Sequence, residues 1–259
     1  GPAKAVCTAD QRIGGEKKMK IGRMFRWYWQ NTYWGLVGFY GAILILMLLG
    51  FSIMITSGTE EISVNGLSFS SEVMLLVLGI IFFPSGTRFG LSHGVSRKTV
   101  FCGLVVFLLA LSVGMTAVNQ LSQWGGQQMG LNTYGTERML YPSVRGLDGR
   151  FGIIVSQIAG GWALGMLGYF IGGAYYRMNK ICKIVVSITV PALLFFGLPL
   201  LLVAAPAGVV GALGNWFFSA VEWVVRSPYH LALLWLGGTV LLGIFSWLLI
   251  RRAPVKIAG

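Results

Sequence analysis

Side chains able to bind a metal or shuttle protons are scarce in this chain: eight Asp and Glu, three Cys and two His among 259 residues. A metal centre needs several of them brought together, and catalysis needs an acid, base or nucleophile within reach of another such group. His93 and His230 fall on opposite faces of the membrane topology derived below. Glu60, Glu61, Glu72, Glu137, Asp148 and Glu222 all fall on one face, with no Ser-His pair or metal cluster beside them. A metal is therefore not expected. For an integral membrane enzyme, such as a protease or lipid transferase, only a pair of outer carboxylates stays open. Nucleotide chemistry is missing as well. A phosphate-cradling loop needs the spacing G-x-x-x-x-G-K-[ST], which does not occur, and Gly14-Gly15-Glu16-Lys17-Lys18 is spaced wrongly. No cofactor is expected in this chain, and any ATP it depends on must bind elsewhere.

The residues that point to a task lie in one segment, 84–100, which reads PSGTRFGLSHGVSRKTV. It is short and basic and offers the hydrophobes Phe89, Leu91 and Val95, a combination suited to docking on a soluble partner. Ser96 can cap a helix that starts with Arg97 and Lys98. The alternative is a tight basic turn with no partner.

The elements that position this segment follow from charge and hydropathy. With 55% hydrophobic and 11% charged residues and a mean hydropathy of +0.73, the chain is too apolar for a soluble domain. Its Lys and Arg alternate between the two sides of six apolar stretches: sixteen basic and two acidic residues on one side, four basic and six acidic on the other. Basic residues flanking membrane helices stay cytoplasmic, so both termini are expected inside. That distribution also accounts for the net charge of +12 without nucleic acid, since the bases are scattered beside spans and not gathered on one face. Attraction to anionic inner-leaflet lipid is the expected consequence. Cys7, Cys102 and Cys182 fall on the inner side, where thiols stay reduced.

A span needs ~20 apolar residues, which places six at about 35–56, 69–87, 99–118, 151–176, 184–206 and 231–250. The second is the shortest, with Phe69 to Glu72 at its outer mouth. The stretch 184–221 is uncharged throughout; Pro206, Gly208, Gly211, Gly214 and Asn215 are expected to break it. Residues 207–223 then re-enter the membrane or lie at its outer surface, anchored by Trp216 and Trp223. Gly1-Pro2 reads as the remnant of a cleaved tag, 1–18 as a flexible tail, Met19 as a natural start, and 253–259 as a cytoplasmic tail. No cleavable signal peptide is expected, because the first apolar run is long enough to span.

Residues 19–34 should form an amphipathic helix on the inner surface. Ile21, Met24, Phe25 and Tyr28 share one face while Arg23, Arg26 and Gln30 share the other, and Arg23, Phe25, Arg26, Trp27 and Trp29 are the expected interfacial anchors. In the fourth span Gly161, Gly165, Gly168 and Gly172 have the small-x-x-x-small spacing of helices in close contact, within the subunit or across a dimer. Pro191 should kink the fifth span. The spans so drawn hold no Asp, Glu or His in their interiors, with only Glu72 near an outer mouth, which argues against a carrier driven by an ion gradient.

The stretch FGLSHGVSRKTVF (Phe89 to Phe101), preceded by two spans and an amphipathic N-terminal helix, resembles the first cytoplasmic loop of ABC-2 type exporter membrane subunits. The likeness is most specific over Arg88 to Thr99. Among such proteins the chain is most similar to subunits of small bacterial peptide exporters, including those that export phenol-soluble modulins. The resemblance implies a six-span permease in the bacterial plasma membrane, paired as a homodimer or heterodimer above two P-loop ATPase chains that bind ATP and Mg. Arg88, Phe89, Leu91, Ser92, His93, Val95, Ser96 and Arg97 would form the coupling helix that docks on the ATPase. Tyr176, Arg177 and Lys180 would add a second inner contact. Cargo would be hydrophobic or amphipathic, since the spans offer rings such as Phe82, Phe107 and Trp162 and few polar anchors. A non-transporting immunity or sensor protein is the alternative from a different class.

Overall fold

The computed structural model describes residues 2–57, 67–92, 94–128, 140–141, 147–193 and 207–251. They form seven helices: α1 (Pro2–Ser57), α2 (Leu67–Ser92), α3 (Arg97–Gln128), α4 (Leu147–Arg177), α5 (Lys180–Ala192), α6 (Ala207–Val225) and α7 (Pro228–Arg251), with no strand among the described residues. Five of them, over Met24–Ile53, Ser68–Gly90, Arg97–Gln128, Leu147–Arg177 and Pro228–Arg251, are long and apolar enough to cross a membrane. This is an all-helical, membrane-spanning protein.

The core is α2, α3 and α4, with α7 laid along α4. Lipid supplies no hydrophobic force between helices, so close backbone approach has to. The glycines of α4 provide it. A methyl group at Gly168 would overlap the Leu76 carbonyl of α2, and one at Gly172 would lie against the Ile80 carbonyl. Ile80 is the residue whose carbonyl lacks a helical N–H partner, because position 84 is proline. Gly161 meets Leu75 of α2 and Ser112 of α3, and Gly165 meets Leu108 of α3. The reciprocal contact comes from Gly79 of α2, which lies on the Gly165 carbonyl. The glycine stripe thus packs within one chain.

Helix α7 buries Ala232, Thr239, Ser246 and Ile250, small side chains at every second turn with a larger one at the end. Around these contacts sits an aromatic and aliphatic core of Tyr28, Phe82, Phe83, Leu104, Phe107, Leu108 and Tyr169. The helices alternate in direction. The ends of α2 and α7, the start of α3 and the end of α4 share one pole, which carries Arg88, Arg97, Lys98, Arg177 and Arg251. The starts of α2, α4 and α7 share the other, where Tyr229 donates to the Asp148 carbonyl at 3.1 Å.

Some expectations change. The helix expected at 19–34 runs into the first span without a break, but α1 is continuous from Pro2, so the expected tail 2–18 is helical too, and Met24, Tyr28 and Thr32 are buried in the bundle. Of the residues expected to break the stretch 184–221, Gly208, Gly211, Gly214 and Asn215 sit inside a regular helix, α6, that runs from Ala207 to Val225, since glycine is common within membrane helices and does not by itself stop one; Pro206 lies outside the described residues. Of the fifth predicted span (184–206) the described residues hold only the part within α5, a helix of thirteen residues that is not among the five long enough to cross a membrane, with Pro191 in its last turn; 194–206 lie outside the described residues.

Candidate functional site

The α2–α3 turn is tighter than its sequence implied. Helix α2 continues through Phe89 to Ser92, leaving four residues before α3 starts at Arg97. Gly94 adopts φ +67°, a left-handed conformation that glycine takes without penalty. The Val95 N–H donates to the Gly90 carbonyl at 2.8 Å. Together these are the six-to-one bond and left-handed glycine that close a helix C-terminus. One residue later the Thr99 N–H donates to Ser96 Oγ at 3.3 Å, so Ser96 caps α3.

The same turn is fastened to two other helices. The Phe89 ring stacks on Trp27 of α1 at 4.5 Å with an 11° interplanar angle. Arg97 Nη1 donates to the carbonyls of Arg251 at 2.8 Å and Ile250 at 3.3 Å, which neutralises the bare carbonyl end of α7. A displacement of this turn therefore acts on α1, α2, α3 and α7 together.

These contacts correct the exposure expected of the docking residues. Phe89 and Val95 are half-buried against the core: α2 continues through Phe89, whose ring lies on Trp27 of α1, and Val95 follows in the turn. The side chains that do face outward are Arg88, Ser92, Ser96 and Lys98. His93 and the side chains of Leu91 and Arg23 lie outside the described residues. At the expected second contact the Tyr176 ring packs 5.8 Å from Phe83 of α2, whereas Arg177 and Lys180 are exposed on either side of the α4–α5 break. Among the expected anchors, Phe25 meets Phe107 edge-on at 5.2 Å and Trp27 is held by Phe89, so both rings serve the bundle. Arg26 and Trp29 point away from it. Trp29, Tyr33 and Tyr40 line an apolar groove of about 360 Å³ between α1 and α3.

A second constellation lies toward the other pole. Ser71 Oγ donates to Asn119 Oδ1 at 3.0 Å, Gln157 Nε2 to Ser68 Oγ at 3.1 Å, Gln120 Nε2 to Gln157 Oε1 at 2.8 Å, and Ser112 Oγ to the Ile158 carbonyl at 2.8 Å. These bonds tie α2, α3 and α4 together. Sequence reasoning missed them although the signal was present: Ser68, Ser71 and Glu72 on α2, and Ser112, Thr116, Asn119 and Gln123 on α3, recur at three- and four-residue helical spacing within apolar surroundings.

Glu72 belongs to this group. A Cβ placed on Gly160 would lie 3.4 Å from Glu72 Oε1 and 3.3 Å from Trp235 Nε1. Gly160 lies thirteen residues into α4 and Trp235 seven into α7, or about 20 Å and 10 Å along those helices. The carboxylate is therefore below the rim of the bundle, half-buried among four helices, deeper than the outer-mouth position expected of it. Among the described residues no three of His, Cys, Asp and Glu come together as a metal cluster. Comparison with family models, with curated proteins and with solved structures finds no match to this chain.

Proposed function

We propose that this chain is the permease subunit of an ATP-driven exporter of the ABC-2 type, seated in a bacterial plasma membrane with the basic pole toward the cytosol. The observation that carries the reading is the α2–α3 turn: short, capped at both ends, basic on its outer surface, and fastened to α1 and α7. A soluble P-loop ATPase docking there would move four helices at once, which is what a coupling element has to do. Nucleotide and Mg belong to that partner, since this chain lacks a phosphate-cradling sequence. Arg177 and Lys180, exposed at the same pole, extend the contact. The apolar flanks of α1, α5 and α6 suit a second permease subunit and lipid, and the apolar bundle suits a hydrophobic or amphipathic cargo such as a small peptide.

The test uses the exposed cations, because Asp at Phe89 or Val95 would disturb packing as well as docking. In the double variant Arg88→Glu, Lys98→Glu, co-purification with a co-expressed candidate P-loop ATPase that binds the unaltered chain should fall at least about tenfold, as expected when several like charges face each other. Helix content and thermal midpoint should stay unchanged. Full assembly, with ATP hydrolysis still responding to the permease, would remove the docking assignment.

A further inference from the structure

We infer that Glu72 and the oxygens around it form a binding site for a single monovalent hard cation, sodium, held between α2, α3 and α4. The cavity they line measures about 10 Å³, room for one water-sized occupant. Its wall is rich in oxygen in a part of the molecule that is otherwise apolar: the Glu72 carboxylate with Ser71, Ser112, Thr116, Asn119 and Gln157. Hydroxyl, amide and carboxylate oxygens are hard donors that favour alkali and alkaline-earth ions over transition metals. One carboxylate supplies one negative charge. Calcium sites draw on more carboxylate charge and six to eight ligands, and magnesium keeps much of its water shell, for which this cavity has no space. The remaining choice, sodium over potassium, follows from size.

The placement adds weight. An ionisable side chain is costly within a membrane bundle, and such groups face the interior and mark ion sites. Glu72 does so at a level where α2, α3 and α4 are also joined by side-chain hydrogen bonds and where Gly160 and Gly161 leave the backbone of α4 open to neighbouring side chains. An ion there would bind residues of three helices simultaneously, so the bundle with the ion should resist unfolding more than the bundle without it. The inference does not rest on the exporter reading, and its test needs no ATPase.

The experiment is thermal unfolding of the purified full-length chain in detergent, titrated with sodium chloride against choline chloride and potassium chloride at constant ionic strength. Above the dissociation constant each tenfold rise in sodium should raise the midpoint by about 3 °C, with a smaller response to potassium and none to choline. Glu72→Gln should abolish the sodium response. Thr116→Val, which removes one neutral oxygen, should shift the titration to several-fold higher sodium. Equal responses to all three salts would overturn the site, as would a sodium response that persists in Glu72→Gln. If Glu72→Gln does not fold, the wild-type salt comparison and Thr116→Val still decide: a sodium-independent midpoint, or one raised only by acid, contradicts sodium binding.

Discussion

The α2–α3–α4 core and the outlying helices α5 and α6 are built from similarly apolar sequence yet behave oppositely. In the core, α4 buries thirteen residues, seven of them glycine. Helix α5 buries none among thirteen, and α6 leaves Trp216, Phe217, Phe218 and Trp223 exposed. Helix α1 contains both behaviours: Met24, Tyr28 and Thr32 are buried, while beyond Tyr40 only Ile43 is among the described side chains. Apolar character brings a helix into lipid but does not decide whether it packs. Small residues that admit a neighbouring backbone and polar side chains that bond across helices decide that, and α5 and the outer half of α1 have few of either.

The strongest way to break this contrast is to make one substitution in both regions. Gly168→Leu drives a side chain into the Leu76 backbone and should cost more than about 3 kcal/mol, the upper range for overpacking, so that no monodisperse protein survives detergent extraction. A Cβ added at Gly38 meets nothing within 4 Å, and Gly38→Leu should leave the thermal midpoint equal or slightly higher, since glycine is a poorer helix former by about 1 kcal/mol. If both variants fold equally well, backbone approach is not what holds the core.

Intermediate effects fall on the fastenings. Trp27→Ala removes the ring on which Phe89 stacks and should cost about 1–3 kcal/mol, with faster hydrogen exchange confined to residues 24–34 of α1. Gln157→Leu loses bonds to Ser68 and Gln120 and should cost about 1 kcal/mol, at the modest values measured for interhelical hydrogen bonds in lipid. The smallest effect is expected at Leu46, which is 63% exposed. Leu46→Ala should change the stability of the isolated chain by less than about 0.5 kcal/mol. A larger loss that depends on protein concentration would show that a second copy covers this face.

Much of this organisation is legible in the sequence, and what is not has specific causes. The α4 glycines advertise close packing by their spacing, Ser96 its cap, and the alternating bases the shared pole of Arg97, Arg177 and Arg251. The position of Phe89 was not legible, because a helix that passes the expected membrane boundary is indistinguishable by composition from a loop beginning there, and only the location of Trp27 decides where the ring goes. The depth of Glu72 was hidden for a related reason. Charge ended the apolar window at residue 73, whereas the structure admits the carboxylate by surrounding it with hydroxyls and amides from α3 and α4, distant in sequence. Arg97 read as a cytoplasmic charge, and its bonds to the end of α7 span more than 150 residues, beyond any local pattern.

The account depends most directly on the basic turn meeting the cytosol, and side-specific thiol labelling measures that. Cys102 and Cys182 are exposed free thiols, so the experiment starts from a background in which Cys7, Cys102 and Cys182 are serine. Lys98→Cys is then treated with a membrane-impermeant maleimide in intact and in opened cells, with Asp148→Cys as the opposite-pole control. The account predicts that Lys98→Cys is protected until the cells are opened and that Asp148→Cys reacts in intact cells. Labelling of Lys98→Cys from outside would contradict it.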